Sequence, residues 1–147
     1  HEEDAAKELL GLDVVVAGEA DRVLTAADVE SAVVDNVERV FAVVVGVGQR
    51  HNGGQTPSLD HLQAMRSVCE ANGVLFHCDG ARLWDAQPFY GVPLAHLGAL
   101  FHSVYLSFYK GLGGLTGAML CGTEDFTAKA VVWRRRFGGP SRTRRPP

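Results

Sequence analysis

One lysine stands in "SFYKGLGG", residues 107–114, where an apolar run meets three glycines within four positions. The chain has three lysines against eleven arginines, so the choice of Lys110 at this place is selective. A lysine beside glycines is ordinarily solvated, because lysine is almost never fully buried unless it is paired. A desolvated lysine sheds its proton more readily, and its amine then attacks a carbonyl to form an imine. A second group of reactive side chains lies 31 residues earlier, in "LFHCDGARLWDA", where Asp79 and Arg82 follow His77. An amine, a carboxylate and a guanidinium together can bind and polarise an anionic, carbonyl-bearing molecule, provided the chain brings them to one place.

The elements between them meet that condition. "EEDAAKELLG" reads as a helix stopped by Gly11, and "DVVVAG" as a short β-branched strand. Thr25 has the place of an N-cap for "AADVESAVVDNV", whose apolar residues recur at helical spacing. "RVFAVVVGVG" is nearly continuous apolar sequence, the signature of a strand buried on both faces of a parallel sheet. "QRHNGGQTP" is turn-rich. Ser58 caps a helix with Leu59, Leu62, Met65 and Cys69 on one face, ending at Gly73. "VLFHC", "SVYLSF" and "GAMLCG" read as three further strands, with a proline-broken stretch around Pro88 and Pro93. Thr123 then caps "EDFTAKAVVWRRR", with cations in the last turn as the helix dipole prefers. Strands alternating with helices define an α/β layered sheet. Ligands in such sheets sit beyond the carboxyl ends of the strands. Asp79, Arg82 and Lys110 all fall at or just past such ends. His77 shares a strand face with Asp79, two residues away.

One cofactor uses all three groups. Pyridoxal phosphate has an aldehyde for a lysine, a pyridine nitrogen that a carboxylate keeps protonated, and anionic oxygens for cations and hydrogen-bond donors. "LFHCDGARLWDA" followed by "YLSFYKGLGGLTGAML" resembles the threonine aldolase and β-eliminating lyase family of pyridoxal-phosphate enzymes. The likeness runs from about Glu2 to Gly139. The resemblance implies the aspartate-aminotransferase fold, a partial fold-type I large domain with a mostly parallel sheet and flanking helices over residues 1–139. It implies pyridoxal 5'-phosphate as cofactor, with Lys110 forming the covalent link, Asp79 serving the pyridinium nitrogen and Arg82 the ring oxygen. Ser107 takes the position of a phosphate-binding hydroxyl, and Gly80 lets the backbone turn close under the ring. His77 is implied as a partner behind Asp79, or else a packed core histidine. Gly111, Gly113 and Gly114 would shape the lysine loop. The implied activity is cleavage of a threonine-like β-hydroxy-α-amino acid to glycine and an aldehyde. A β-eliminating lyase, a racemase or an inactive remnant are the alternatives. The implied assembly is a homo-oligomer, dimer or tetramer. The family's phosphate loop, ring-stacking histidine and small domain have no counterpart in this stretch, which predicts that residues 1–147 alone are not a competent enzyme.

Bulk composition narrows the field. At 147 residues, 46% hydrophobic and 21% charged, the chain has an ordinary globular balance. No apolar run approaches the roughly 20 residues that span a bilayer, and the acidic start "HEEDAAKELL" predicts no secretory leader. Cys69, Cys78 and Cys121 are isolated in apolar segments and read as reduced thiols of a cytoplasmic protein. Without a CxxC, a structural zinc site is not expected. Residues 1–40 hold eleven acids and three bases, and residues 126–147 seven bases and no acid. The tail "PSRTRRPP", residues 140–147, is expected to be disordered. No nucleic-acid-binding motif accompanies its charge, so no nucleic-acid partner is expected. "VVVGVGQRHNGG" imitates a dinucleotide loop, but His51 occupies the place of the third glycine. A metal hydrolase built on His51, His77 and Asp79 lacks a further well-spaced ligand.

Overall fold

The computed structural model describes residues 2–36 and 38–139. They form two compact units, one of the chain up to Val43 with Gln49–Leu75, the other of Val44–Gly48 with Phe76 onward. The tail at 140–147 lies outside the described residues.

The first unit is helical. Helix α1, Ala5–Leu10, stops at Gly11, whose φ of 65° suits only glycine without strain and whose amide donates to the Lys7 carbonyl at 2.8 Å. Helix α2, Ala26–Val34, opens on a reciprocal cap. The Asp28 amide donates to Thr25 Oγ1 at 3.3 Å, and the Thr25 amide donates to Asp28 Oδ2 at 2.8 Å. Helix α3, Leu59–Ala71, begins where Ser58 Oγ accepts from the His61 amide at 3.2 Å. Val29 and Val33 of α2 and Leu62, Met65 and Cys69 of α3 are buried, and the two helices pack together. Burial pushes the Cys69 thiol up to about 11, so it serves as an inert packing group.

The expected strand at "DVVVAG" does not form. Residues 13–18 have no regular structure, and Val16 is 82% exposed. β-branched residues favour a strand only where a neighbouring strand gives them a surface to pack on, and among the described residues none pairs with this segment.

Arg22 forks onto the capping aspartate with two hydrogen bonds of 2.6 Å. That contact, more than the bonds from Thr25, holds the Asp28 carboxyl well below the usual range. A carboxylate whose pKa is depressed by folding stabilises the native state above its unfolded pKa. The stabilisation fades as pH falls below that value. Thr25→Ala is therefore expected to cost about 1 kcal/mol near neutral pH. Urea denaturation should show the gap between the two proteins narrowing under acid, once Asp28 is protonated.

A four-stranded sheet, most of it in the second unit, has the order β1-β2-β3-β4, from Ala42–Gly46, Leu75–Gly80, Ser103–Ser107 and Ala118–Gly122. The Leu75 amide donates to Phe41 and, further along both strands, the Val47 amide donates to Asp79, so β1 and β2 run parallel. Strands β2 and β3 are parallel, and β4 is antiparallel to β3. The sheet is thus mostly parallel, as the alternation of elements predicts. The stretch expected to be broken by prolines instead holds two short helices, α4 (Leu83–Tyr90) and α5 (Leu94–Gly98). Pro88 sits inside α4, which ends two residues later before Gly91 at φ 61°. Pro93 precedes α5 as its cap. Helix α6, Glu124–Arg136, starts at Thr123, whose Oγ1 accepts from the Phe126 amide at 3.3 Å, and it ends on Arg134, Arg135 and Arg136. Among the described residues no helix is long and apolar enough to cross a membrane.

Candidate functional site at the ends of β2 and β3

Strand β2 presents two unlike faces. Phe76, Cys78 and Gly80 are buried on one; Leu75, His77 and Asp79 alternate onto the other. Burial pushes the Cys78 thiol up to about 12, which keeps it protonated and unreactive. The parallel register sets His77 opposite Ser103 and Asp79 opposite Tyr105. Ser103, Tyr105 and Ser107 of β3 therefore share the face of His77 and Asp79. The alternation in "SVYLS" carried that signal, yet Ser103 and Tyr105 did not stand out from the sequence as site residues.

Asp79 is exposed at the strand end, and its Oδ1 accepts from the Ala81 amide at 3.1 Å, which turns the chain away from the sheet. His77 is half-buried, and its Nδ1 shares a hydrogen bond of 2.7 Å with Ser103 Oγ. Burial holds its imidazole below the ordinary pKa, although the Asp79 charge pulls the other way. The close contacts of Gly80 lie on the covered face: a Cβ there would meet the Tyr105 carbonyl at 2.5 Å and Leu83 Cβ at 3.3 Å. Only glycine lets β2 and β3 approach this closely. Gly80→Ala is expected to destabilise the protein by about 1–3 kcal/mol, as overpacking does; thermal or urea denaturation measures it.

Arg82 is half-buried at the start of α4. The loop after β1 packs on it so tightly that a Cβ at Gly48 would lie 2.9 Å from Arg82 Cβ. Lys110 lies three residues past β3, half-buried, with Nζ 5.6 Å from the centre of the Tyr109 ring. Its loop is closed by hydrogen bonds from the Gly113 amide to the Lys110 carbonyl, 2.8 Å, and from the Gly114 amide to Phe108, 2.7 Å. Gly113 adopts a φ of 66°. The Asp85 carboxylate lies against Gly111, with Oδ1 2.6 Å from where a Cβ would be, so a larger residue next to Lys110 would have to displace it. Among the described residues neither Lys110 nor Arg82 forms a salt bridge.

Ser107 is fully buried, and its Oγ has no hydrogen-bond partner among the described residues. The Tyr105 phenol feels this hydroxyl, but no hydrogen bond of acceptable geometry joins them. Tyr105 itself is held above its ordinary pKa, chiefly by the hydrogen bond to the Tyr109 phenol and then by burial. A buried hydroxyl without a partner costs roughly 1–3 kcal/mol, and a bound acceptor would relieve it. His51 lies in the other unit, exposed, with Nε2 at 3.4 Å from Arg50 Nη2. No group of three or more His, Cys, Asp or Glu among the described residues is placed to hold a metal ion.

A mostly parallel sheet with a carboxylate closing one strand and a lysine loop following its parallel neighbour is the large-domain scaffold of fold-type I pyridoxal-phosphate enzymes. Two solved structures superpose on this fold. A Listeria monocytogenes protein described as an L-allo-threonine aldolase superposes with a TM-score of 0.87 at 42% identity, over 95% of this chain and 38% of that one. The threonine aldolase of Leishmania major gives 0.78 at 27% identity, over 92% and 41%. The chain belongs to the β-eliminating lyase family, whose family model matches residues 1–145. It is 38% identical over 81 residues to the low specificity L-threonine aldolase of Saccharomyces cerevisiae, a match that covers 55% of this chain and 21% of the yeast protein. The chain therefore spans well under half the length of these relatives.

Proposed function

We propose that a protein carrying this chain is a pyridoxal-phosphate-dependent lyase that cleaves a threonine-like β-hydroxy-α-amino acid to glycine and an aldehyde. The observation that carries the reading is the placement of Asp79 at the end of β2 and of Lys110 just past the parallel β3, in a family whose relatives are named threonine aldolases. The donor set suits the cofactor: an amine, a carboxylate and a guanidinium without salt bridges to one another, and a buried hydroxyl in want of a partner. When bound, pyridoxal phosphate supplies an electron-poor ring that takes up the electron pair of the bond being broken.

The residues divide the work by charge. The Lys110 amine would hold the cofactor through its aldehyde. The Asp79 carboxylate keeps the ring nitrogen protonated, and its turn-forming bond to Ala81 restrains it at the strand end. Arg82 offers a fixed cation to the ring oxygen, and Ser107 Oγ a hydrogen bond to the phosphate. His77, neutral and tied to Ser103, stands behind Asp79. A base that takes the β-hydroxyl proton would let the Cα–Cβ bond break to the aldehyde, and the Cα would take up a proton in its place to give glycine. The unpaired cysteines suit a reducing, cytoplasmic location. Exposed apolar side chains such as Leu115, Val132 and Trp133 suit burial in a homo-oligomer.

The test is product analysis on the full-length protein that carries this chain, with threonine and added cofactor. The expected result is acetaldehyde and glycine in equal amounts. Release of ammonia and a 2-oxo acid instead would assign β-elimination. No product beside a bound cofactor would mark an inactive remnant. Either outcome overturns the reading.

A further inference from the structure

We propose that Ser103 is a positioning residue of this site: its hydroxyl holds the His77 imidazole in one orientation on the face that His77 shares with Asp79. The inference rests on the reading of Asp79 as the carboxylate that serves the cofactor nitrogen. The geometry behind it is local and rigid. His77 and Ser103 are register partners on parallel strands, and their side chains meet at 2.7 Å. Ser103 is 8% exposed, so water competes poorly for its hydroxyl. The strand entry that carries it is clamped on both sides of Phe76. The His102 amide donates to the Phe76 carbonyl at 2.8 Å, and the Phe76 amide donates to His102 Nδ1 at 2.9 Å. These two bonds set the start of β3 against β2, and with it the place of Ser103 opposite His77.

A neutral imidazole has one donor and one acceptor nitrogen. With Nδ1 engaged by the Ser103 hydroxyl, which can donate or accept, Nε2 is the ring nitrogen left for a bound group. The other titratable groups around the pair are few. Tyr105 lies on the same face one pair along, and His102 is committed to Phe76. Strand β1 carries no titratable side chain, and Cys121 of β4 registers with Val104 on the opposite face. The orientation of His77 thus rests on Ser103, through its hydroxyl and its backbone, two strand positions behind the carboxylate.

The experiment compares the unaltered chain with Ser103→Ala and Ser103→Thr. Imidazole nitrogen NMR on the ligand-free protein reads the His77 tautomer and titration midpoint directly. The expected result is the same tautomer balance and midpoint in the unaltered chain and in Ser103→Thr, and a changed balance with a shifted midpoint in Ser103→Ala. Pyridoxal phosphate binding should weaken about five-fold in Ser103→Ala, the size of one net hydrogen bond, and recover in Ser103→Thr. If the alanine variant does not fold, Ser103→Cys, similar in size with a weak donor, takes its place. An unchanged tautomer and midpoint would overturn the proposal, and so would a changed tautomer with unchanged cofactor binding. Failure of every variant and of the unaltered chain to bind pyridoxal phosphate would overturn the cofactor reading instead, and the positioning role with it.

Discussion

Replacing Lys110 with alanine is expected to abolish covalent capture of pyridoxal phosphate and to lower turnover by about 10³-fold or more, the scale on which loss of a covalent catalytic group falls. The argument begins with competition among lysines. Lys7 lies in α1 of the other unit, and Lys129 is drawn to Asp125 at 2.7 Å on the exposed side of α6. Lys110 alone is half-buried in a glycine loop, at the end of a sheet strand and free of salt bridges among the described residues. Its neighbours keep it there: Asp85 packed on Gly111 and the two hydrogen bonds that close the loop. Borohydride reduction of the cofactor-treated protein, followed by peptide mass mapping, should place the added mass on Lys110. In Lys110→Ala the adduct should vanish while the thermal stability stays close to that of the unaltered protein. An adduct found on Lys7 or Lys129 alone would refute the assignment.

Asp79→Asn should separate binding from catalysis. The amide keeps the size of the carboxylate, and its oxygen can still accept the Ala81 amide that Asp79 accepts at 3.1 Å, so the turn after β2 survives. What disappears is the negative charge that holds a proton on the ring nitrogen. Charges placed where they favour the transition state are commonly worth 10²-fold or more in rate. The variant is expected to retain cofactor with an altered absorbance spectrum and to lose turnover by about 10²-fold or more. Stopped assays of aldehyde release give the rate, and cofactor titration gives the affinity. Near-normal turnover would mean that another group serves the nitrogen. Loss of cofactor with normal folding would make Asp79 a binding residue first.

Much of this was open to a reader of the residues alone. Helix starts at Thr25, Ser58 and Thr123 and the stop at Gly11 follow from hydroxyl caps and a positive φ, both local in cause. The mostly parallel sheet follows from apolar runs separated by helices. The resemblance carried by "HCDGAR" and "SFYKGLGG" pointed to Asp79, Arg82 and Lys110 before any contact was known.

Other features required the fold. "DVVVAG" has the composition of a strand, yet strand formation is decided by a partner edge, which a linear sequence does not declare. Pro88 inside α4 was equally hidden, because a short helix tolerates one lost hydrogen bond near its end. The glycine at position 80 is required by a backbone oxygen 25 residues away, and the Ser107 hydroxyl is buried without a partner among the described residues. Ser103 and Tyr105 entered the site only when register set them opposite His77 and Asp79. By itself the sequence determined the reactive groups and the elements that carry them, because side-chain chemistry and local propensity are properties of short stretches. Only the tertiary structure decided which groups share a face, since register between strands 26 residues apart is set by packing and hydrogen bonding across the sheet.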